Sequence, residues 1–139
     1  MKKGKTFDEI QVGDTASFTI EITEKMHREF ENLSEDESPV HTDDVFAKKS
    51  GFDKKIGYAF LLTSFLSRLY GMYLPGGTSV CLKQETSFPN PYYVGDTISV
   101  EAEVIRKIAS TRIAEIRTRM KRQNGKLVLS GLGAIKLLS

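Results

Sequence analysis

With 139 residues, 40% of them hydrophobic and 27% charged, the chain fits one soluble globular domain spanning 1–139. A domain of that size buries about two thirds of its unfolded surface. A net charge of +2 excludes the strongly basic footprint of a nucleic-acid or membrane-surface binder. The single cysteine, Cys81, cannot close an internal disulfide and suits a reducing cytoplasm.

The basic start, Met1 to Lys5, leads into Phe7-Asp8-Glu9-Ile10 with no apolar signal core, so no secretion is expected. Val12-Gly13-Asp14-Thr15 reads as a turn. After it Ala16, Phe18, Ile20 and Ile22 alternate with polar residues, the period of a half-buried strand. Thr23 is a fitting N-cap for a short helix with Met26, Phe30 and Leu33 on one face; His27 on that helix reads as a solvated surface histidine. Thr42 is expected to cap a second short helix, with Asp43 and Asp44 in its first turn and Gly51 closing it.

The apolar run Tyr58 to Leu74 holds Thr63, Ser64, Ser67, Arg68 and Gly71 and is short for a membrane span. It predicts a central helix apolar on most sides, hence wrapped by other structure, and stopped by Pro75-Gly76-Gly77. Thereafter the chain reads as strands. Val80 and Leu82 open one, and Pro89-Asn90-Pro91 interrupts the ladder. Ile98, Val100, Ala102 and Val104 alternate in the next, as do Ala114, Ile116, Thr118 and Met120 in the third. Asn124-Gly125 marks a hairpin into a last strand, 126–138. The second Val-Gly-Asp-Thr, at 94–97, reads as the turn of 12–15 used again. The sum is an α+β domain, an antiparallel sheet curled around one long helix, with sheet edges that a second copy of the chain can cover.

The stretch that carries chemistry is Asp36-Glu37-Ser38-Pro39-Val40-His41-Thr42-Asp43. Pro39 fixes its own φ and keeps Ser38 out of the helical region, so Asp36 and His41 flank an irregular corner and can converge on one pocket. Taken alone, the same residues also read as an exposed acidic turn with a surface histidine. Two histidines and one cysteine, widely spaced, form no metal cluster, and no glycine-rich phosphate loop is present.

The sequence resembles the MaoC-like dehydratases of the hot-dog fold, in particular the (R)-specific enoyl-CoA hydratases. The family pattern, Asp-any-Asn-Pro-any-His-any-Asp, stands here at 36–43 with Ser38 in place of Asn. Ile56-Gly57-Tyr58-Ala59 resembles the start of the family's central helix, with Tyr58-Ala59 in place of His-Gly, and Leu74-Pro75-Gly76-Gly77-Thr78 its end. Tyr93-Val94-Gly95-Asp96 matches the turn before the next long strand. The resemblance implies hydration of 2-enoyl thioesters by Asp36 and His41 acting jointly, with the Ala59 N–H as oxyanion donor. It also implies support from Ser67 and Ser38, with Tyr58 beside the substrate.

No cofactor is implied, since the coenzyme A thioester, or an acyl carrier protein thioester, is the substrate. A homodimer or higher homo-oligomer is expected, without nucleic acid or membrane partners. Bulky Tyr58, Phe60 and Phe65 point to a restricted pocket and short acyl chains. Two alternatives stand beside this reading. A thioesterase on the same fold typically carries an acid on the central helix, where Tyr58 to Leu74 has none. A non-catalytic acyl-thioester-binding module would be marked by loss of Asp36 or His41, and both are present.

Overall fold

The computed structural model describes residues 4–139; Met1, Lys2 and Lys3 of the basic start lie outside them. The two Val-Gly-Asp-Thr segments form the same turn. Gly13 and Gly95 sit at φ 94° and 96°, a region that disfavours a side chain. Each aspartate accepts the N–H three residues before it, Gln11 at 2.9 Å for Asp14 and Tyr93 at 2.8 Å for Asp96. The turns launch β1 (Thr15–Glu21) and β3 (Thr97–Ile108), antiparallel neighbours with Phe18 opposite Val100 and Ile20 opposite Ile98.

With β2 (Ser79–Ser87), β4 (Ile113–Lys121) and β5 (Leu127–Leu137) they form one antiparallel sheet in the order β1-β3-β4-β5-β2. Gly125, at φ 84°, makes the turn between β4 and β5. The alternation predicted for β3 and β4 holds: Ile98, Val100, Ala102, Val104, Ala114, Ile116, Thr118 and Met120 are all buried. They share one core with Leu61, Leu62, Phe65 and Leu66 of helix α4 (Ala59–Arg68). A wider, π-type turn, Leu69–Tyr73, continues that helix and buries Leu69 and Tyr70. The sheet therefore wraps a central helix, but not completely. Phe60 is 69% exposed and Met72 49%, so the helix keeps an apolar face outside this chain's own core.

Three local expectations need correction. In α1 (Glu24–Ser34) Thr23 is the N-cap and Met26 and Phe30 pack against the core, whereas Leu33, in the last turn, is exposed. Thr42 does not cap the next helix. Pro39–Thr42 forms a helical turn of its own, α2, with the Thr42 hydroxyl directed back to the Ser38 carbonyl at 3.2 Å. Asp43, in extended conformation, caps α3 (Asp44–Lys49) by accepting the Val45 and Phe46 N–H groups at 2.9 and 3.2 Å. His27 is fully buried rather than solvated, because its ring tucks between α1 and the residues that follow α3.

The second turn is also tied to the β4–β5 hairpin. Burial alone would raise the Asp96 carboxyl, but Arg122, Gln123 and the Tyr93 N–H together hold it below the ordinary carboxylate range. The Arg122 Nε lies 2.7 Å and the Gln123 Nε2 2.8 Å from its oxygens. Arg122→Ala should cost about 3 kcal/mol in urea unfolding, because it strands a buried carboxylate. Since the folded pKa is depressed, this stabilisation is present above the unfolded carboxylate value of about 3.9 and fades as pH falls through the folded one. The wild-type and variant stabilities should therefore converge in acid, and a loss under about 0.5 kcal/mol at neutral pH would remove the pair from the architecture.

Candidate active site

Helix α1 ends where Glu35 turns left-handed, at φ 58°, and this swings Asp36 out of the helix ahead of the Pro39 corner. Ser38 then fixes the carboxylate. Asp36 Oδ1 accepts the Ser38 hydroxyl at 2.7 Å and the Ser38 N–H at 3.0 Å, and these bonds hold the carboxyl below its ordinary range. Oδ2 is left facing His41 Nε2 at 4.0 Å.

His41 lies on α2, its side chain 14% exposed. Its Nδ1 meets the Ile56 carbonyl at 2.8 Å. A carbonyl only accepts, so Nδ1 carries a proton, and in the neutral form of the ring Nε2 is bare toward Asp36. At 4.0 Å the two groups are too far apart to bond each other and close enough to share one substrate or water atom. The chain on either side is tied as well, since the Ile56 N–H donates to the Val40 carbonyl at 3.0 Å. Segment 56–59 and the Asp36–His41 corner thus form one unit.

Gly57 is required by close approach: a Cβ there would stand 2.3 Å from the Tyr92 ring. Its N–H donates to the Tyr92 carbonyl, and the Tyr92 hydroxyl donates to the Tyr58 carbonyl at 2.7 Å. Ala59 is the first residue of α4, whose N-cap, Tyr58, offers no side-chain acceptor. The helix therefore starts with an uncapped N–H at the positive end of its dipole, a place suited to a developing oxyanion. Ala59 has ordinary helical backbone, so its methyl introduces no strain. Beside it opens an apolar cleft of about 240 Å³, lined by Ile56, Gly57, Leu62, Phe88, Tyr92 and Val128.

The remaining predicted residues fall elsewhere. Ser67 is exposed on α4, in a depression with Thr63, Tyr70, Cys81 and Gln84 that neither Asp36 nor His41 lines. Tyr58 is buried, and its side chain turns under the corner: its hydroxyl donates to the Asp36 carbonyl at 2.5 Å and its ring stacks on His41. Burial pushes its phenol up to about 12, so it remains a donor. Sequence reasoning missed Tyr92 and the Ile56 carbonyl. For the carbonyl no side-chain signal exists; for Tyr92 the only hint was an aromatic after the Pro-Asn-Pro break. Among the described residues no group of three or more His, Cys, Asp or Glu is placed to hold a metal.

Known proteins resemble the chain in sequence and in fold. Residues 9–125 match the MaoC like domain. The chain is 36% identical to an (R)-specific enoyl-CoA hydratase of Aeromonas caviae, over 92% of this chain and 96% of that protein. The solved A. caviae (R)-hydratase, described as involved in PHA biosynthesis, superposes with a TM-score of 0.87 over 92% and 97% of the two chains. An R-hydratase of Pseudomonas aeruginosa gives 0.89 at 30% identity, over 96% and 86%. The sheet wrapped around α4 is thus the hot-dog fold, and the chain belongs to the family of MaoC-like domain proteins.

Proposed function

We propose that this protein hydrates 2-enoyl-coenzyme A to (R)-3-hydroxyacyl-coenzyme A and catalyses the reverse dehydration. The observation that carries the proposal is that Asp36 Oδ2 and His41 Nε2 face each other 4.0 Å apart, with the His41 ring stacked on Tyr58, the N-cap of α4. The likeness to the (R)-specific hydratases supports the reaction and its handedness.

With Asp36 ionised and His41 neutral, both groups facing the gap accept protons. A water held between them gives up one proton as its oxygen bonds to C3. The C2=C3 electrons move toward the thioester, whose oxygen takes up negative charge against the Ala59 N–H. The pair then returns one proton to C2, leaving enzyme unchanged and water added. The thioester supplies its own activation, so no metal or other cofactor is part of this scheme. The absence of any acidic residue from α4 supports hydration over thioester cleavage.

The grounds for short chains shift from Tyr58, Phe60 and Phe65 to the cleft beside Ala59. Tyr58 and Phe65 are buried in the core and Phe60 is largely exposed, while the cleft's volume of about 240 Å³ suits a small acyl group. A homodimer is part of the proposal. Edge strand β2 carries exposed Val80 and Leu82, and Phe60 and Phe88 meet edge to face at 6.1 Å on the adjoining surface. An apolar sheet edge beside the uncovered helix face is what a second copy would cover. A reducing cytoplasm fits the free Cys81. Among the described residues no helix is long and apolar enough to cross a membrane.

The decisive assay is loss of enoyl-thioester absorbance from crotonyl-CoA, with the product read by an (R)-specific dehydrogenase. Asp36→Asn and His41→Ala should each lower kcat by about 10²- to 10⁴-fold. Ala59→Pro removes the N–H at a helix position that tolerates proline, and should cost about 10²-fold with folding intact. Failure to turn over crotonyl, octenoyl or carrier-protein enoyl thioesters would overturn the reaction, and preference for octenoyl-CoA would overturn the short-chain assignment.

Ser38→Ala should raise the Asp36 midpoint in a carbon-13 titration, since both Ser38 bonds hold it down and the hydroxyl bond, lost in the variant, is the larger. An unmoved midpoint would dismiss Ser38 as the group that tunes Asp36. Light scattering at micromolar concentration should give a dimer mass for the wild type and a monomer for Leu82→Lys; a monomeric wild type refutes the dimer.

A further inference from the structure

The residues beneath the corner, buried His27 and Tyr58 with half-buried Phe30 and His41, are unusual for a hydrophobic core. His27, Phe30, Tyr58 and His41 form a cluster of rings contributed by α1, the start of α4 and α2. The Tyr58 ring lies 4.1 Å from His41 at 26°, 4.7 Å from His27 and 4.8 Å from Phe30. Besides the His41 bond to the Ile56 carbonyl, the cluster makes two polar contacts, and both end on the main chain of the proposed reacting residues. The Tyr58 hydroxyl donates to the Asp36 carbonyl at 2.5 Å, and His27 Nε2 meets the His41 carbonyl at 2.8 Å.

The second contact sets the His27 tautomer. A carbonyl cannot donate, so Nε2 holds the proton and Nδ1 is bare. Nδ1 is buried without a partner. An aliphatic residue at position 27 would fill the same space without an unsatisfied nitrogen. Packing therefore does not account for His27, whereas its bond to the His41 backbone does.

We infer that Tyr58 and His27 are positioning residues for the reaction: Tyr58 anchors the Asp36 main chain and backs the His41 ring, while His27 anchors the His41 main chain. The inference rests on the reading of Asp36 and His41 as the reacting pair. Asp36 needs such an anchor. Its side chain is 44% exposed, it follows the left-handed Glu35, and its own N–H reaches only the exposed Ser34 hydroxyl at 3.2 Å. The Tyr58 hydroxyl ties the Asp36 main chain to the core. Where the family pattern has His-Gly, Tyr58 supplies a longer side chain whose hydroxyl reaches the Asp36 backbone while the ring stays buried.

The test uses the full-length protein with crotonyl-CoA, below the melting midpoint of every variant. Tyr58→Phe keeps the ring and loses the hydroxyl; kcat should fall about fivefold to tenfold with KM within about twofold. His27→Ala should show the same split. His27→Gln, which places an amide donor where Nε2 stood, should recover kcat to within about twofold of the wild type. A purely structural role would lower the melting temperature and leave kcat intact. Wild-type kcat in Tyr58→Phe and His27→Ala, alongside inactive Asp36→Asn and His41→Ala, overturns the inference while the hydratase reading stands. An inactive wild type overturns both.

Discussion

The hydrogen bond from His41 Nδ1 to the Ile56 carbonyl is the constraint on which the site depends. It fixes the tautomer of the neutral ring, in which Nδ1 holds the proton and Nε2 faces Asp36. It also couples two parts of the chain that the sequence separates by 15 residues. The Ile56 N–H closes the other half of the link on Val40. Because both bonds are to backbone, the link survives substitution of Ile56 by any residue that keeps the conformation.

That link reaches the core through Gly57 and Tyr92. The absence of a side chain at 57 lets the Tyr92 ring lie against the main chain, and the Tyr92 hydroxyl in turn holds the Tyr58 carbonyl. Tyr92 follows the Pro89-Asn90-Pro91 break and precedes the turn whose Asp96 is locked by Arg122. The start of α4 is therefore positioned by the same β-turn system that sets the sheet. Strand β1 lies at the opposite edge of the sheet, where Phe18 stacks on Tyr73 of the π-type turn that continues α4. Sheet and site are built from one set of joints, which explains why a short irregular segment can hold two polar groups to a fixed separation.

Most of the sheet was legible in the sequence because its signals are local. Period-two alternation in β3 and β4, Asn124-Gly125 and the repeated Val-Gly-Asp-Thr each act within a few residues and have one structural outcome. The Asp36–His41 pair was legible through a resemblance together with Pro39, which makes the corner. His27 was misread because exposure of a histidine on an amphipathic helix is decided by what packs over it, here Tyr58, 31 positions away. Thr42 was misread because Asp43, one residue on, has a carboxylate that reaches two N–H groups at once. Ser67 was assigned by resemblance alone, and in this chain it lines a depression near β2, the strand at the sheet's edge.

The two departures at the start of α4 are connected by the same physics. In the proposed reaction the oxyanion donor is a backbone group, which asks of position 59 only an uncapped N–H in helical geometry, and alanine provides both. Ala59 borders the apolar cleft, so in the proposed reaction its methyl narrows the space for an acyl group while the N–H stays free. At position 58 the requirement is different, because the side chain points under the corner and meets the polar main chain of Asp36. A purely apolar residue would leave that carbonyl without the Tyr58 bond. Tyrosine combines a ring broad enough to fill the space between His27, Phe30 and His41 with one hydroxyl at its far end. Position 59 is thus governed by its backbone and position 58 by the reach of its side chain, and each replacement respects the constraint that applies to it.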